Sequence, residues 1–170
     1  MAILRITKHG EAVLKKPCRP VDYQAMKTEL PRIIKDMWST MYSVRGVGLA
    51  APQIGLDLRL SVIDVRPEGK PQKLVLINPE IVSISGKLHE EEGCLSIPGV
   101  YAKLTRGSKA TIRALDAHGS PYEMTGEGLL ARAFQHEIDH LDGRLFVDRL
   151  DFVAKLKVMG LIRELKPAWS

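Results

Sequence analysis

Strand-like and helix-like segments are grouped along this chain rather than alternating, which predicts an α+β fold and not a parallel α/β sheet. Two further observations set the scale. The chain has 170 residues, 45% of them hydrophobic, and no internal repeat, low-complexity tract or long linker divides it. One domain over residues 1–170 is therefore expected, large enough to bury a core. No apolar run reaches the roughly 18 residues of a membrane span, and the opening MAILRITKHG lacks the long apolar stretch of a secretory signal. A cytoplasmic protein is the simplest expectation; a mature organellar or phage-encoded form would read the same way.

The first helix is expected over 21–45. Asp22 is placed to cap it, and Met26, Leu30, Ile33, Ile34, Met37 and Met41 recur near helical spacing, although Pro31 disturbs the first turns. The Gly-, Ala- and Pro-rich RGVGLAAPQIG that follows reads as a loop. LRLSVIDV (58–65), KLVLINP (73–79) and EIVSISG (80–86) are short and β-branched, and read as strands, with Pro67, Gly69 and Pro71 turning the chain between the first two. SKATIRALD and PYEMT read as two more, joined by a turn at 117–120. A second helix is expected over 125–142, capped by Thr125 and stopped by Gly143, with Leu129, Leu130, Ala133, Phe134, Ile138 and Leu141 as its apolar surface. A third runs over about 151–166 from Asp151, and its Phe152, Leu156, Met159 and Ile162 are expected to pack on the body.

The net charge of +5 is uneven: +5 over residues 1–46, −3 over 47–148 and +3 over 149–170. The basic ends serve solubility first, and an RNA or acidic partner second. No DNA or membrane partner is expected. The two cysteines, Cys18 and Cys94, need no disulfide in a cytoplasmic chain of this size, so each is read separately.

Chemistry concentrates in QHEIDH, residues 135–140. His136 and His140 are four apart on the second helix, which puts both imidazoles on one face where they can share a metal. Glu137, beside the first of them, can reach a metal-activated water without being a ligand. A helix with two satisfied histidines is the bland alternative. A third ligand decides between metal chemistries. A downstream histidine is absent, and the position that would carry it in H-E-x-x-H-x-x-G-x-x-H is Phe146. The only later glutamate is Glu164 in the third helix. Cys94, in the polar segment EEEGCLSIPG, is the better candidate: a thiolate and two imidazoles leave a fourth position open for water. Such a tripod accepts iron(II), zinc, cobalt or nickel. Cys18, between Pro17 and Pro20, reads as a small packed residue.

Three segments in order, GVGLAAPQ (46–53), EGCLS (92–96) and QHEIDHLDG (135–143), make the chain resemble the peptide deformylases along essentially its whole length. The resemblance implies antiparallel β-sheets packed around a central metal-binding helix, with N-terminal and C-terminal helices. It implies hydrolysis of the formyl group from the formylmethionine that begins a new polypeptide, so formylated nascent N-termini are the expected partners. It implies Fe2+ held by Cys94, His136 and His140, with Zn2+, Ni2+ or Co2+ able to substitute. Glu137 would be the general base. Gln53 and the Leu95 N–H would steady the oxyanion, Val47, Gly48 and Gly93 would meet the peptide backbone, and Leu129 and Ala133 would line the methionine slot. A monomer is implied, and in some relatives a basic C-terminal helix docks on the ribosome, as Lys155, Lys157, Arg163 and Lys166 would allow here. The chain departs from many relatives at Tyr101, where they carry Arg, and has Glu90 where some have an apolar residue at the pocket rim; Arg132 is expected near that rim. Two other readings stay open: a metallopeptidase, which shares H-E-x-x-H, and a structural metal in a binding module, which would need a fourth protein ligand.

Overall fold

The computed structural model describes residues 1–170 and has α+β architecture. Five strands form one antiparallel sheet in the order β1 (Gly48–Ala50), β2 (Leu60–Asp64), β3 (Lys73–Ser85), β6 (Lys109–Leu115) and β7 (Pro121–Glu127). A hairpin of β4 (Leu88–Cys94) and β5 (Ile97–Arg106) forms the second sheet. Helix α3 (Leu129–Leu141) lies between them.

Alternation along β2 and β3 explains how the large sheet is covered on both faces. Leu60, Val62 and Ile77 point to one side, where Leu30, Ile34, Met37 and Met41 of α2 (Leu30–Ser43) cover them. Ile63 and Leu76 point to the other, joined by Ala110, Ile112 and Ala114, and are covered by Ala131, Phe134 and Ile138 of α3. A third cluster packs Ile97, Val100 and Leu104 of β5 on Phe146 and Val147 and on Val158 and Ile162 of α4 (Phe152–Leu165). No helix is long and apolar enough to cross a membrane.

The structure differs from the sequence reading at six places. The expected helix over 21–45 is two: α1 (Tyr23–Met26), capped by Asp22 through a 3.1 Å bond from Ala25 N–H, and α2, which restarts with Pro31 in its first turn, where a missing N–H costs nothing. The expected loop after it contains β1. The strands expected at 73–79 and 80–86 are one strand, bulged between Ile77 and Glu80 at Asn78 (φ 51°), whose side chain bonds both Val21 N–H and Val21 C=O. Thr125 is not a helix cap: it lies in β7 and its hydroxyl bonds that of Thr111. Residues 88–106, to which the sequence reading assigns no element, form the second sheet. Finally, Phe152 and Leu156 face solvent, 76% and 58% exposed, while Val158 and Ile162 are buried. Helix α4 is apolar around much of its circumference, so its spacing does not single out the packed face.

Candidate metal centre

Helix α3 holds His136 and His140 one turn apart with their Nε2 atoms 3.2 Å from each other. Cys94 ends β4 at the hairpin tip, and its Sγ lies 3.4 Å from His140 Nε2. The donor atoms of all three residues fall within 4.8 Å of one another. Two imidazole nitrogens and a thiol converging without another acceptor between them fit a metal ion. The opposite edge of the His136 ring supports this: Nδ1 bonds Glu92 Oε1 at 2.5 Å, which leaves Nε2 as the free donor. Glu92 is ionised there. Burial pushes its carboxyl up, but the bonds from Arg106 and His136 outweigh that and hold it well below the usual carboxylate range.

Glu137 follows His136 on the helix and is 3% exposed. Its Oε2 is buried without a partner, and burial pushes its carboxyl up to about 7. A carboxylate poised near neutrality beside the tripod is suited to take and return a proton. Gln53 is 1% exposed and fixed in orientation. Its Oε1 accepts from Ala50 N–H at 2.9 Å, so its amide N–H groups point at Ser96 Oγ (3.2 Å) and Cys94 Sγ (3.6 Å). Leu95 is the first residue of the hairpin turn between β4 and β5.

A cavity of about 590 Å³ opens over these groups, lined by Val47, Gly48, Gln53, Gly93, Cys94, Leu95, Leu129, Ala133, His136 and Glu137. Every expected site residue except His140, which lies beneath, lines it. One wall is the free edge of β1 and the other the free edge of β4. Exposed apolar side chains, Val44, Val47, Tyr101 and Leu129, ring its mouth.

Arg132 lines the cavity as a buried wall residue and does not stand at its open mouth. It is 4% exposed and donates to Glu92 and to the carbonyls of Leu88, Glu90 and Leu104. Sequence reasoning missed Glu92, Arg106 and Asp139, which stand behind the ligands. The signal was a run of three glutamates running into Gly93 and Cys94, more carboxylate than a solvated strand edge needs.

The fold and this site define a metal-dependent hydrolase of the H-E-x-x-H type whose third ligand is a cysteine. Comparison with known proteins agrees. The family model described as polypeptide deformylase matches residues 3–155. A peptide deformylase of Acidobacterium capsulatum is 47% identical over 99% of this chain and 98% of its own length. The crystal structure of a peptide deformylase from Legionella pneumophila superposes with a TM-score of 0.90 at 48% identity, covering 98% of this chain and 97% of that one. That from Thermus thermophilus gives 0.87 at 37% identity, covering 95% and 94%. The chain belongs to the polypeptide deformylase family.

Proposed function

We propose that this site removes the formyl group from the N-terminal formylmethionine of newly made polypeptides, consuming water and releasing formate and a free amine. The observation that carries the reading is the buried, unpartnered Glu137 carboxylate beside the Cys94–His136–His140 cluster at the floor of a peptide-sized cavity. A divalent metal held by those three residues would supply Lewis-acid polarisation of the formyl oxygen and activation of water. We assign Fe2+ as the resident ion on the strength of the family resemblance; Zn2+, Ni2+ and Co2+ can substitute because thiolate with imidazoles accepts all four. An iron–thiolate centre is expected to lose activity in air.

Glu137 takes the water proton and delivers it to the departing amine nitrogen, so one carboxylate acts first as base and then as acid. The Gln53 amide and the Leu95 N–H donate to the oxygen that gains charge as the carbonyl carbon becomes tetrahedral. The peptide lies extended between the edges of β1 and β4, bonding backbone at Val47, Gly48 and Gly93 as an added strand would. Leu129 and Ala133 line the slot for the methionine side chain. A ribosome contact through the outer face of α4, where Phe152 and Leu156 stand beside Lys157 and Arg163, completes the proposal, with the protein acting as a cytoplasmic monomer. Because Val158 and Ile162 of α4 are buried, surface changes at Lys157 and Arg163, not deletion of the helix, test that contact by cosedimentation.

The test of the reaction uses protein loaded anaerobically with Fe2+ and three peptides: formyl-Met-Ala-Ser, its acetyl counterpart, and a longer peptide with internal bonds. Formate from the first alone is expected. Internal cleavage without formate would make the site a peptidase, and metal binding with neither activity would favour the binding-module reading.

A further inference from the structure

Behind the three metal-ligating side chains runs a chain of buried ions. Glu92 is 9% exposed at its side chain and accepts four bonds. Its Oε1 takes His136 Nδ1 (2.5 Å) and Arg106 Nη2 (2.7 Å); its Oε2 takes Arg106 Nε (2.8 Å) and Arg132 Nη2 (2.9 Å). The Arg106 guanidinium, itself 5% exposed, reaches on through Nη1 to Asp139 Oδ2 at 2.8 Å. Asp139 is held in turn by Arg149 at 2.6 Å on Oδ1 and 3.2 Å on Oδ2. The line therefore runs from a half-exposed arginine just before α4 to the imidazole of a metal ligand.

Two features give this line a function beyond general stability. First, together with the Arg132 bonds to the carbonyls of Leu88, Glu90 and Leu104 and the Gln135–Gly107 pair, it joins the two halves of the site. Cys94 comes from the hairpin, both histidines from α3. The hairpin's apolar cluster faces α4, and that of α3 faces the large sheet, and the two clusters share no residue. Arg132, His136 and Asp139 form one stripe of α3 at helical spacing, and Glu92 and Arg106 meet that stripe from β4 and β5. Second, the two histidines are held differently. The His136 ring is fixed by Glu92, whereas His140 Nδ1 is buried without a partner. Ring orientation at His136 thus depends on a carboxylate that is itself oriented by two guanidiniums.

We propose that Glu92, Arg106 and Asp139 are positioning residues of the metal centre: as a unit they set the spacing between Cys94 and His136 and thereby the affinity for the metal. The inference rests on the reading that Cys94, His136 and His140 hold the ion. A carboxylate behind a histidine ligand commonly sets metal affinity by a factor of about 10–100. Arg106 is the keystone, because only a planar fork engages both Glu92 oxygens and a second carboxylate at once; a lysine ammonium cannot.

The experiment titrates metal-free protein with Zn2+ against a chromophoric chelator. It compares wild type, Glu92→Gln, Arg106→Lys, Asp139→Asn, Cys94→Ser and, as a remote control that breaks an exposed ion pair, Arg113→Met. Thermal unfolding of each metal-free variant and the visible spectrum of its Co2+ form are recorded alongside. The expected result is affinity lower by about 10–100-fold in Glu92→Gln and Arg106→Lys, a smaller loss in Asp139→Asn, an altered cobalt spectrum in all three, and wild-type values in Arg113→Met. Folded Glu92→Gln and Arg106→Lys that bind Zn2+ as tightly as wild type, whatever their melting temperatures, would overturn the proposal and leave the ions a scaffold only. If Glu92→Gln does not fold, Arg106→Lys, which keeps the charge, decides alone. Zn2+ binding as tight in Cys94→Ser as in wild type would instead remove the underlying metal reading.

Discussion

Gly48 lies directly against the Glu137 carboxylate: a Cβ at Gly48 would fall on Oε1 and stand 2.9 Å from Cδ. Gly48 opens β1 and Glu137 sits on α3, so the large sheet, and not the helix alone, sets where the proposed base can lie. The sequence suggests that this glycine makes room for a bound peptide. The structure shows that it first makes room for the base. Gly48→Ala is expected to displace the carboxylate by about an ångström and lower kcat on the order of 10²-fold, with metal content unchanged. Steady-state kinetics with metal analysis checks this; undiminished kcat would show that the carboxylate has another place to go.

Removing Cys94 tests the tripod itself. Two histidines on one helix turn bind a divalent ion far more weakly than three convergent donors. Cys94→Ala is expected to weaken metal binding by more than the roughly 100-fold typical of supporting carboxylates, while circular dichroism stays native because β4 keeps its pairing with β5. Retention of a full equivalent of metal after dialysis would contradict it.

Much of this site was legible before the structure because its parts announce themselves locally. His136 and His140 are separated by one helical turn, and Glu137 follows from them. Cys94 was reachable by elimination of other ligands. The supporting ions were not legible. Arg106 lies 33 residues from Asp139 and 14 from Glu92, and nothing local distinguishes it from any other arginine on a strand. The hairpin carrying Cys94 was missed for a related reason: β4 keeps His89, Glu90 and Glu91 in solvent and packs its inward carboxylate on arginines, so it lacks the apolar alternation that marks a strand.

Helix α4 gives a contrast in stability. Ile162 is 3% exposed in the cluster with Val158 and Phe146, and Ile162→Ala is expected to cost about 2–5 kcal/mol. Phe152, equally apolar but 76% exposed, is expected to change stability by less than about 0.5 kcal/mol on truncation to Ala. Urea denaturation of the two variants separates them; equal losses would mean that the outer face of α4 is covered in solution.

Asp64 ends β2 and its backbone N–H bonds Val47 C=O, so it anchors one wall of the cavity. Burial pushes its carboxyl up, but bonds from Tyr42 Oη (2.7 Å), Gln72 N–H (2.9 Å) and Arg66 hold it below its ordinary 3.8. A depressed folded-state value contributes stability above the unfolded value, and that contribution fades as pH falls through 3.8 and on through the lower folded value. Asp64→Asn should therefore be less stable than wild type by about 1–3 kcal/mol at pH 7, with the gap closing below about pH 4. A gap that is constant with pH would assign the loss to packing instead of charge.

The most direct measurement is formate release by Glu137→Gln from formyl-Met-Ala-Ser, with metal content matched to wild type. Glutamine keeps the shape of the buried side chain and removes its capacity to carry a proton. A kcat lower by about 10²–10⁴-fold is expected, with KM within a few-fold of wild type. Near-wild-type kcat in the fully metal-loaded variant would contradict the assignment of Glu137 as the group that takes the proton from water and returns it to the amine.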